Sequence, residues 1–309
     1  MSLGVFTQER ALFHRYLLEK EILSYSRVSK TNEKKFDVQW VASNADTGNN
    51  FSIGISNSLI EKISSKSSTE IAYRDTKKKG QTLGNEFEEA VARFTKRTFA
   101  QLGHLRPGEW TIDKITGREE SIIGRYEQYS HLAELGEIIR KNTELRTFLG
   151  EGYTVAPDII VARSPESDLR INENTNVVDN RSSLRSMLRL SNHANPDVPL
   201  ELLHASISCK FTMRSDRAQN TRTEALNLIR NRKGRSPHIV AVTAEAAPSR
   251  IASLALGTGD LDCVYHFALY ELEETLDELG KDDAQDLLKT MIEGKRLKDI
   301  SDLPLDLAI

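Results

Sequence analysis

Residues 203–211, Leu-His-Ala-Ser-Ile-Ser-Cys-Lys-Phe, alternate with a period of two, and that pattern fits a strand. His204, Ser206, Ser208 and Lys210 then point one way, and Ala205, Ile207, Cys209 and Phe211 the other. A lysine ammonium is thereby fixed on the polar face of an otherwise apolar, buried strand. Four residues further on, Arg214, Asp216 and Arg217 offer two guanidinium forks and one acceptor, a set suited to guanine and cytosine edges. A chemical group beside a base-reading group, on one rigid element, points to an enzyme that cuts a chosen DNA sequence.

Around this segment strands and helices are interleaved. Apolar periodicity predicts helices over about Thr7–Leu23, Ile53–Ile63, Gln81–Leu102 and Arg125–Phe148. Ser24–Asn50 is a polar stretch whose run Ser43-Asn44-Ala45-Asp46-Thr47-Gly48 reads as turn or loop, and residues 64–80, rich in Ser and Lys, read as mobile. Pro107-Gly108 breaks the chain before a strand at Trp110–Ile115, and Pro157 opens a short buried strand through Val161. Residues 164–201 read as loop around a short helix near Ser182–Leu190. After the strand at Leu203–Phe211 come a helix at Ser215–Asn231, a strand at His238–Thr243, a helix at Pro248–Ala255, a strand at Asp262–His266 and two C-terminal helices. The expected class is α/β, a central mixed sheet flanked by helices. With no convincing linker, residues 1–309 read as a single domain, its N-terminal part (about 1–105) packing on a core of about 106–309.

The net charge of −3 argues at first against a nucleic-acid partner, but its distribution does not. Residues 206–238 hold eight Lys or Arg against two acids, Asp216 and Glu224, while the C-terminal third carries the acids around Glu271–Glu278. A basic cleft on a mildly acidic body suits a protein that must leave non-specific DNA readily. No run reaches the roughly 18 apolar residues needed to span a bilayer, and no secretory signal is visible at the start, so an intracellular, cytoplasmic protein is expected. The two cysteines, Cys209 and Cys263, exclude a disulfide framework and a cysteine metal cluster by number, and read as reduced and buried. The seven histidines show no metal-ligand spacing, and His104, His204 and His266 read as core residues.

Three separated pieces can converge on one metal site. Asp158 begins a buried strand, Ser208 and Lys210 share a strand face, and Glu224 lies seven residues after Arg217 on nearly the same side of a helix. Phosphodiester hydrolysis needs hard oxygen ligands for Mg²⁺, an activated water and positive charge near the phosphate. Asp158 and Glu224 can hold the metal. Lys210 can orient or deprotonate the water, or offset phosphate charge. Each piece alone is commonplace: a turn carboxylate, an edge lysine, a core serine, a solvated glutamate. The combination with Arg-Ser-Asp-Arg is what gives them weight.

The set Pro157-Asp158, Ser208-Cys209-Lys210 and Glu224 resembles the variant active site of the PD-(D/E)XK nucleases in the CCGG group of type II restriction endonucleases, the NgoMIV-type enzymes most closely. The resemblance runs over almost the whole chain. It implies a restriction-endonuclease-like core, with Asp158, Lys210 and Glu224 as the catalytic set and Ser208 where the usual second acid is missing. It also implies a further acid, Glu88, at the metal site. Arg214 and Arg217 would take the two guanines of a central CCGG, Asp216 the cytosine amino groups, and Gln81 an approach from the minor groove. Asp46 and Arg250 would read the outer base pair. The placement of Asp46 rests on the short run Ser43-Asn44-Ala45-Asp46, because Ser24–Lys79 matches less continuously. The implied reaction is Mg²⁺-dependent cleavage of double-stranded GCCGGC after the first G, leaving 5′ overhangs. The implied assembly is a homodimer or homotetramer of two DNA-bound dimers, with a cognate methyltransferase protecting host sites.

Two other classes of function compete. A sequence-specific binder without cleavage has no use for clustered carboxylates facing a phosphate. A repair or recombination nuclease on the same core would cut by DNA structure and not by sequence, which mapping of cleavage ends separates.

Overall fold

A computed structural model describes residues 3–32, 35–115, 123–141, 157–213, 215–257 and 259–309. The chain divides into two units. The first comprises Met1–Leu102, Ser208–Arg222 and Val240–Ile309, and the second Gly103–Ile207 and Thr223–Ile239.

In the first unit, helix α1 (Val5–Glu19) buries Phe13, His14, Leu17 and Leu18. A hairpin follows, β1 (Tyr25–Asn32) antiparallel to β2 (Lys35–Ala42), with Tyr25 opposite Ala42 and Asn32 opposite Lys35. The turn expected at Ser43–Gly48 is present, while the polar stretch before it holds a hairpin that the sequence did not single out. Serine, lysine and asparagine masked a strand pair whose buried end is carried by Tyr25, Ser26, Val41 and Ala42. Helix α2 (Asn50–Ser67) starts where the Asn49 side chain accepts from the Phe51 and Ser52 amides at 3.0 and 3.3 Å, the N-cap arrangement. Its stripe of Ile53, Ile55, Leu59, Ile60 and Ile63 is buried. Residues 64–80 are more regular than expected, since α2 continues to Ser67 and β3 (Tyr73–Arg74) pairs parallel with β1. Helix α3 (Gly80–Phe99) packs on α1, with Phe94 5.4 Å from Phe13, and buries Phe87 and Val91 as well.

The second unit begins with β4 (Trp110–Lys114), entered through Gly108 at φ +133°. A side chain there would strike the Arg163 guanidinium, 2.7 Å from the site of a Cβ, which itself lies over the Trp110 ring. The helix expected from Arg125 begins later, at Ser130. Two 3-10 turns precede α4 (Ser130–Lys141), and residues 142–148 lie outside the described residues. Strand β5 (Ile159–Arg163) runs antiparallel to β4, and the short α5 (Asp168–Ile171) follows. In place of the helix expected near Ser182–Leu190 there are turns and one 3-10 turn, Leu190–Asn192. Arg189 instead grips both oxygens of Asp168 at 2.7 Å, and Glu166 exchanges backbone bonds with Leu188 and Leu190. That pairing holds the segment in turns.

Strand β6 (Leu202–Lys210) pairs antiparallel with β5, with a register shift at Val161/Ala162. The Gln128 amide bonds both the Leu203 carbonyl (2.7 Å) and amide (2.9 Å), doing for β6 what another strand would do. Then come α6 (Ser215–Asn231), β7 (His238–Thr243), α7 (Pro248–Ala255), β8 (Cys263–His266), α8 (Leu269–Glu278), α9 (Asp282–Glu293), β9 (Leu297–Asp299) and the single turn α10 (Leu303–Asp306). The sheet order is β4-β5-β6-β7-β8-β9; β4 to β6 are antiparallel, while β7 to β9 are parallel. Helices flank this central mixed sheet, so the expected α/β class holds. Cys209 and Cys263 are buried and in no disulfide, as expected. Of the three histidines expected in the core, His266 is fully buried and His204 stacks against Trp110 and His238, but His104 is exposed. Among the described residues no helix is long and apolar enough to cross a membrane.

Candidate active site

The end of β6 is held by its neighbours in the first unit. The Thr243 hydroxyl and the Ala244 amide both donate to the Lys210 carbonyl, at 2.8 and 3.2 Å. Ser208 is buried and Lys210 half-buried. One residue beyond Lys210, the Phe211 ring packs 5.6 Å from Phe87 of α3, and Phe87 meets Phe267 at 6.5 Å. This aromatic anchor fixes α3 against the strand end, and the residue after Phe87 is Glu88, half-buried. Its neighbours in the sequence differ: Glu86 is engaged by Lys78 at 3.0 Å, and Glu89 is exposed. The acid-rich run thus separates into one structural ion pair, one solvated acid and Glu88.

Asp158 and Glu224 belong to the second unit. Asp158 immediately precedes β5, its carbonyl accepting from the Ile115 amide at 2.9 Å, and its side chain is half-buried. Ile159 pairs with Ile207, the outermost pair of the β5–β6 ladder. Glu224 stands half-buried on α6 beside buried Ala225. Among the described residues no group of three or more His, Cys, Asp or Glu side chains is arranged to hold a metal ion. Asp158 and Glu224 are each half-buried carboxylates, hard oxygen donors of the kind magnesium takes. Mg²⁺ keeps several waters and is commonly held through one or two carboxylates plus substrate phosphate.

Of the expected base-reading residues, Arg214 lies outside the described residues. Asp216 and Arg217 fall in the first turn of α6, with side chains outside the described set. Gln81 is exposed in the first turn of α3. Asp46 and Arg250, 204 positions apart in the chain, are brought together: the Arg250 guanidinium forms an ion pair with the Asp46 carboxylate. Arg250 also donates to the Met213 carbonyl at 3.3 Å. Asp46 is itself shaped by an Asx turn, Oδ1 accepting from the Gly48 amide at 3.1 Å.

Behind this pair lies a residue that the sequence reading passed over. Glu245 is fully buried, yet its Oε2 is 3.8 Å from Arg250 Nη1 and accepts from the Met213 amide at 2.8 Å. Oε1 accepts from Ala247 at 3.1 Å, just ahead of α7. Burial raises the Glu245 carboxyl above the usual range, with Arg250 and the two amides pulling the other way. Burial also works against the Arg250 charge, but Asp46 and Glu245 outweigh it and push the guanidinium up. The signal was present: one acid within Val-Thr-Ala-Glu-Ala-Ala, a run too apolar to leave a carboxylate in water.

The NgoMIV restriction enzyme family profile matches residues 13–309. The type II restriction enzyme NgoMIV of Neisseria gonorrhoeae is 49% identical over 305 residues, covering 99% of each chain. The crystal structure of the type IIF restriction endonuclease Bse634I with cognate DNA aligns with a TM-score of 0.35 at 14% identity, over 82% of this chain and 96% of that one.

Proposed function

Because the chain belongs to the NgoMIV restriction enzyme family and is a type II restriction endonuclease, we propose that it hydrolyses double-stranded DNA at GCCGGC, after the first G, with Mg²⁺ as cofactor. The observation that carries the reading is the full-length relationship at 49% identity, with Asp158, Ser208, Lys210 and Glu224 all in place. It is supported by the place of Asp158 immediately before β5 and of Ser208 and Lys210 on β6, the strand that pairs antiparallel with β5.

Asp158 and Glu224 are the proposed metal holders, with Glu88 as a further acid and Ser208 as the small neutral replacement for a second strand carboxylate. Bound Mg²⁺ supplies an acidified water and charge compensation at the phosphate. Lys210, anchored through its own carbonyl at the end of a buried strand, presents its ammonium to the attacking water or to the phosphate. Arg214 and Arg217 take the guanines of CCGG through O6 and N7, Asp216 the cytosine amines, and Gln81 the minor groove. Asp46 and Arg250 take the outer pair. A palindromic target requires two-fold symmetry, so the working form is a homodimer or a homotetramer of two such dimers. A methyltransferase of the same specificity would protect the host's own sites.

The decisive experiment incubates the protein with a GCCGGC duplex and Mg²⁺, beside a Ca²⁺ control, and maps the ends. Cutting after the first G on each strand is expected. Ends scattered by DNA structure would indicate a repair-type nuclease, and binding without cutting a recognition protein. Asp158→Ala is expected to lower cleavage at least about 10³-fold, as for removal of other groups acting in the transition state. Specific binding should be retained, because a negative charge beside phosphate is also removed. Retained cleavage would refute the assignment of Asp158.

A further inference from the structure

We propose that Glu245 is a positioning residue for base-pair selection: its buried carboxylate locks Arg250 and the chain entering the central recognition run into one fixed arrangement. This rests on the reading of Arg250 as an outer-pair contact.

The geometry behind it lies wholly within the first unit. One oxygen of Glu245 serves the Met213 amide at 2.8 Å, immediately before Arg214, and the other serves the Ala247 amide at 3.1 Å, at the start of the helix that carries Arg250. The same carboxylate lies 3.8 Å from Arg250 Nη1, and Arg250 returns a bond to the Met213 carbonyl at 3.3 Å. Glu245 therefore touches three partners belonging to two base-reading segments. Its own backbone is fixed as well. The amide donates to Thr243 Oγ1 at 3.1 Å, and the carbonyl accepts from His266 Nε2 at 3.0 Å. The His266 tautomer follows, because Nδ1 accepts from the Ala268 amide at 3.2 Å, leaving the proton on Nε2. A core made only for stability has no need of a carboxylate here, since a buried charge is costly to desolvate. A carboxylate does offer two acceptors and a charge that hold an arginine fork in one orientation.

Glu245→Gln removes the charge and one acceptor, so an amide NH₂ must confront either the Met213 or the Ala247 N–H. The readout is outer-pair discrimination, the ratio of kcat/KM on GCCGGC to that on ACCGGT, measured with the full-length protein after thermal unfolding shows it folded. Arg250→Ala is expected to lower this ratio about tenfold. Glu245→Gln should lower it similarly, and in an Arg250→Ala background it should add little. Should Gln at this position prevent folding, Glu245→Asp gives the same reading, keeping the charge but withdrawing it by one methylene. Arg250→Ala losing discrimination while both Glu245 variants keep it would overturn the proposal alone. Discrimination unchanged in Arg250→Ala would overturn the outer-pair reading and the proposal with it. Equal loss on both duplexes, with the ratio intact, would make Glu245 merely structural and also overturn it.

Discussion

Two arginines in the first unit each stand between two carboxylates, and they have opposite characters. Arg10 donates to Glu271 at 3.0 and 2.6 Å and to Asp299 at 2.9 and 2.8 Å, engaging Nε and both terminal nitrogens. Arg250 has a close ion pair with Asp46, a backbone carbonyl, and Glu245 only at 3.8 Å. Side-chain exposure follows suit: 12% for Arg10 against 27% for Arg250, and 0% for Asp299 against 23% for Asp46. The buried glutamates respond in opposite directions. Burial would raise Glu271, but the bidentate Arg10 fork overrides it and brings the carboxyl down to about 2. At Glu245 burial wins. A guanidinium with its donors consumed internally is a structural fastener; one that keeps donors toward solvent is available for a ligand.

The largest expected effect is at the fastener. Arg10→Ala strands two buried carboxylates and should cost about 3–5 kcal/mol in urea unfolding, with base discrimination unchanged in whatever folds. A loss below about 1 kcal/mol would erase the contrast.

Acid comes next. Each cluster contains a buried histidine: His14, whose Nε2 donates to the Phe267 carbonyl at 2.8 Å near Arg10, and His266 behind Glu245. Burial lowers both to about 4, with Arg10 adding to the effect at His14. The unfolded chain then binds more protons than the folded one between about pH 6.5 and 4, so stability rises with pH across that window. Lowering the pH from 7 to 5 should remove about 3–4 kcal/mol, and His14→Gln should flatten part of that slope. Glu271 contributes only further down. Its stabilisation is complete above the ordinary carboxylate range and lost as pH falls through about 2. A flat profile from pH 7 to 5 would mean the histidines are not held neutral.

The smallest expected change in stability is at the reader. Arg250→Ala leaves Glu245 with both backbone donors, so unfolding should shift by no more than about 1 kcal/mol even as outer-pair discrimination falls. A shift comparable to that of Arg10→Ala would place both arginines in one class.

Much of the sheet was legible from pattern alone. Ser215–Asn231, His238–Thr243 and Pro248–Ala255 begin and end where periodicity, a proline at the first helical turn and flanking breakers put them. The β1–β2 hairpin was not, because Ser26, Ser29, Lys30 and Thr31 carry no apolar alternation and its strand character comes from pairing. Strand β9 is three residues long, too short for any period to register. The expected helix near Ser182–Leu190 failed for the converse reason: Arg189 finds Asp168, a tertiary partner that local propensity does not contain. At the site, residue type and spacing singled out Asp158, Lys210 and Glu224, while Asp46 and Arg250 came only through the family resemblance. Their mutual ion pair is a contact across 204 positions that one sequence cannot display. Glu245 was missed because a lone glutamate is read as solvated until its burial is known.

The division of the chain inside β6 and β7 restricts how such a protein can be altered. The polypeptide passes from one unit to the other at 102/103, 207/208, 222/223 and 239/240, so neither is an uninterrupted stretch of gene. Cutting out either unit and splicing in another would sever β6 and β7. New target preferences must therefore be reached by exchanging individual side chains on an unbroken framework.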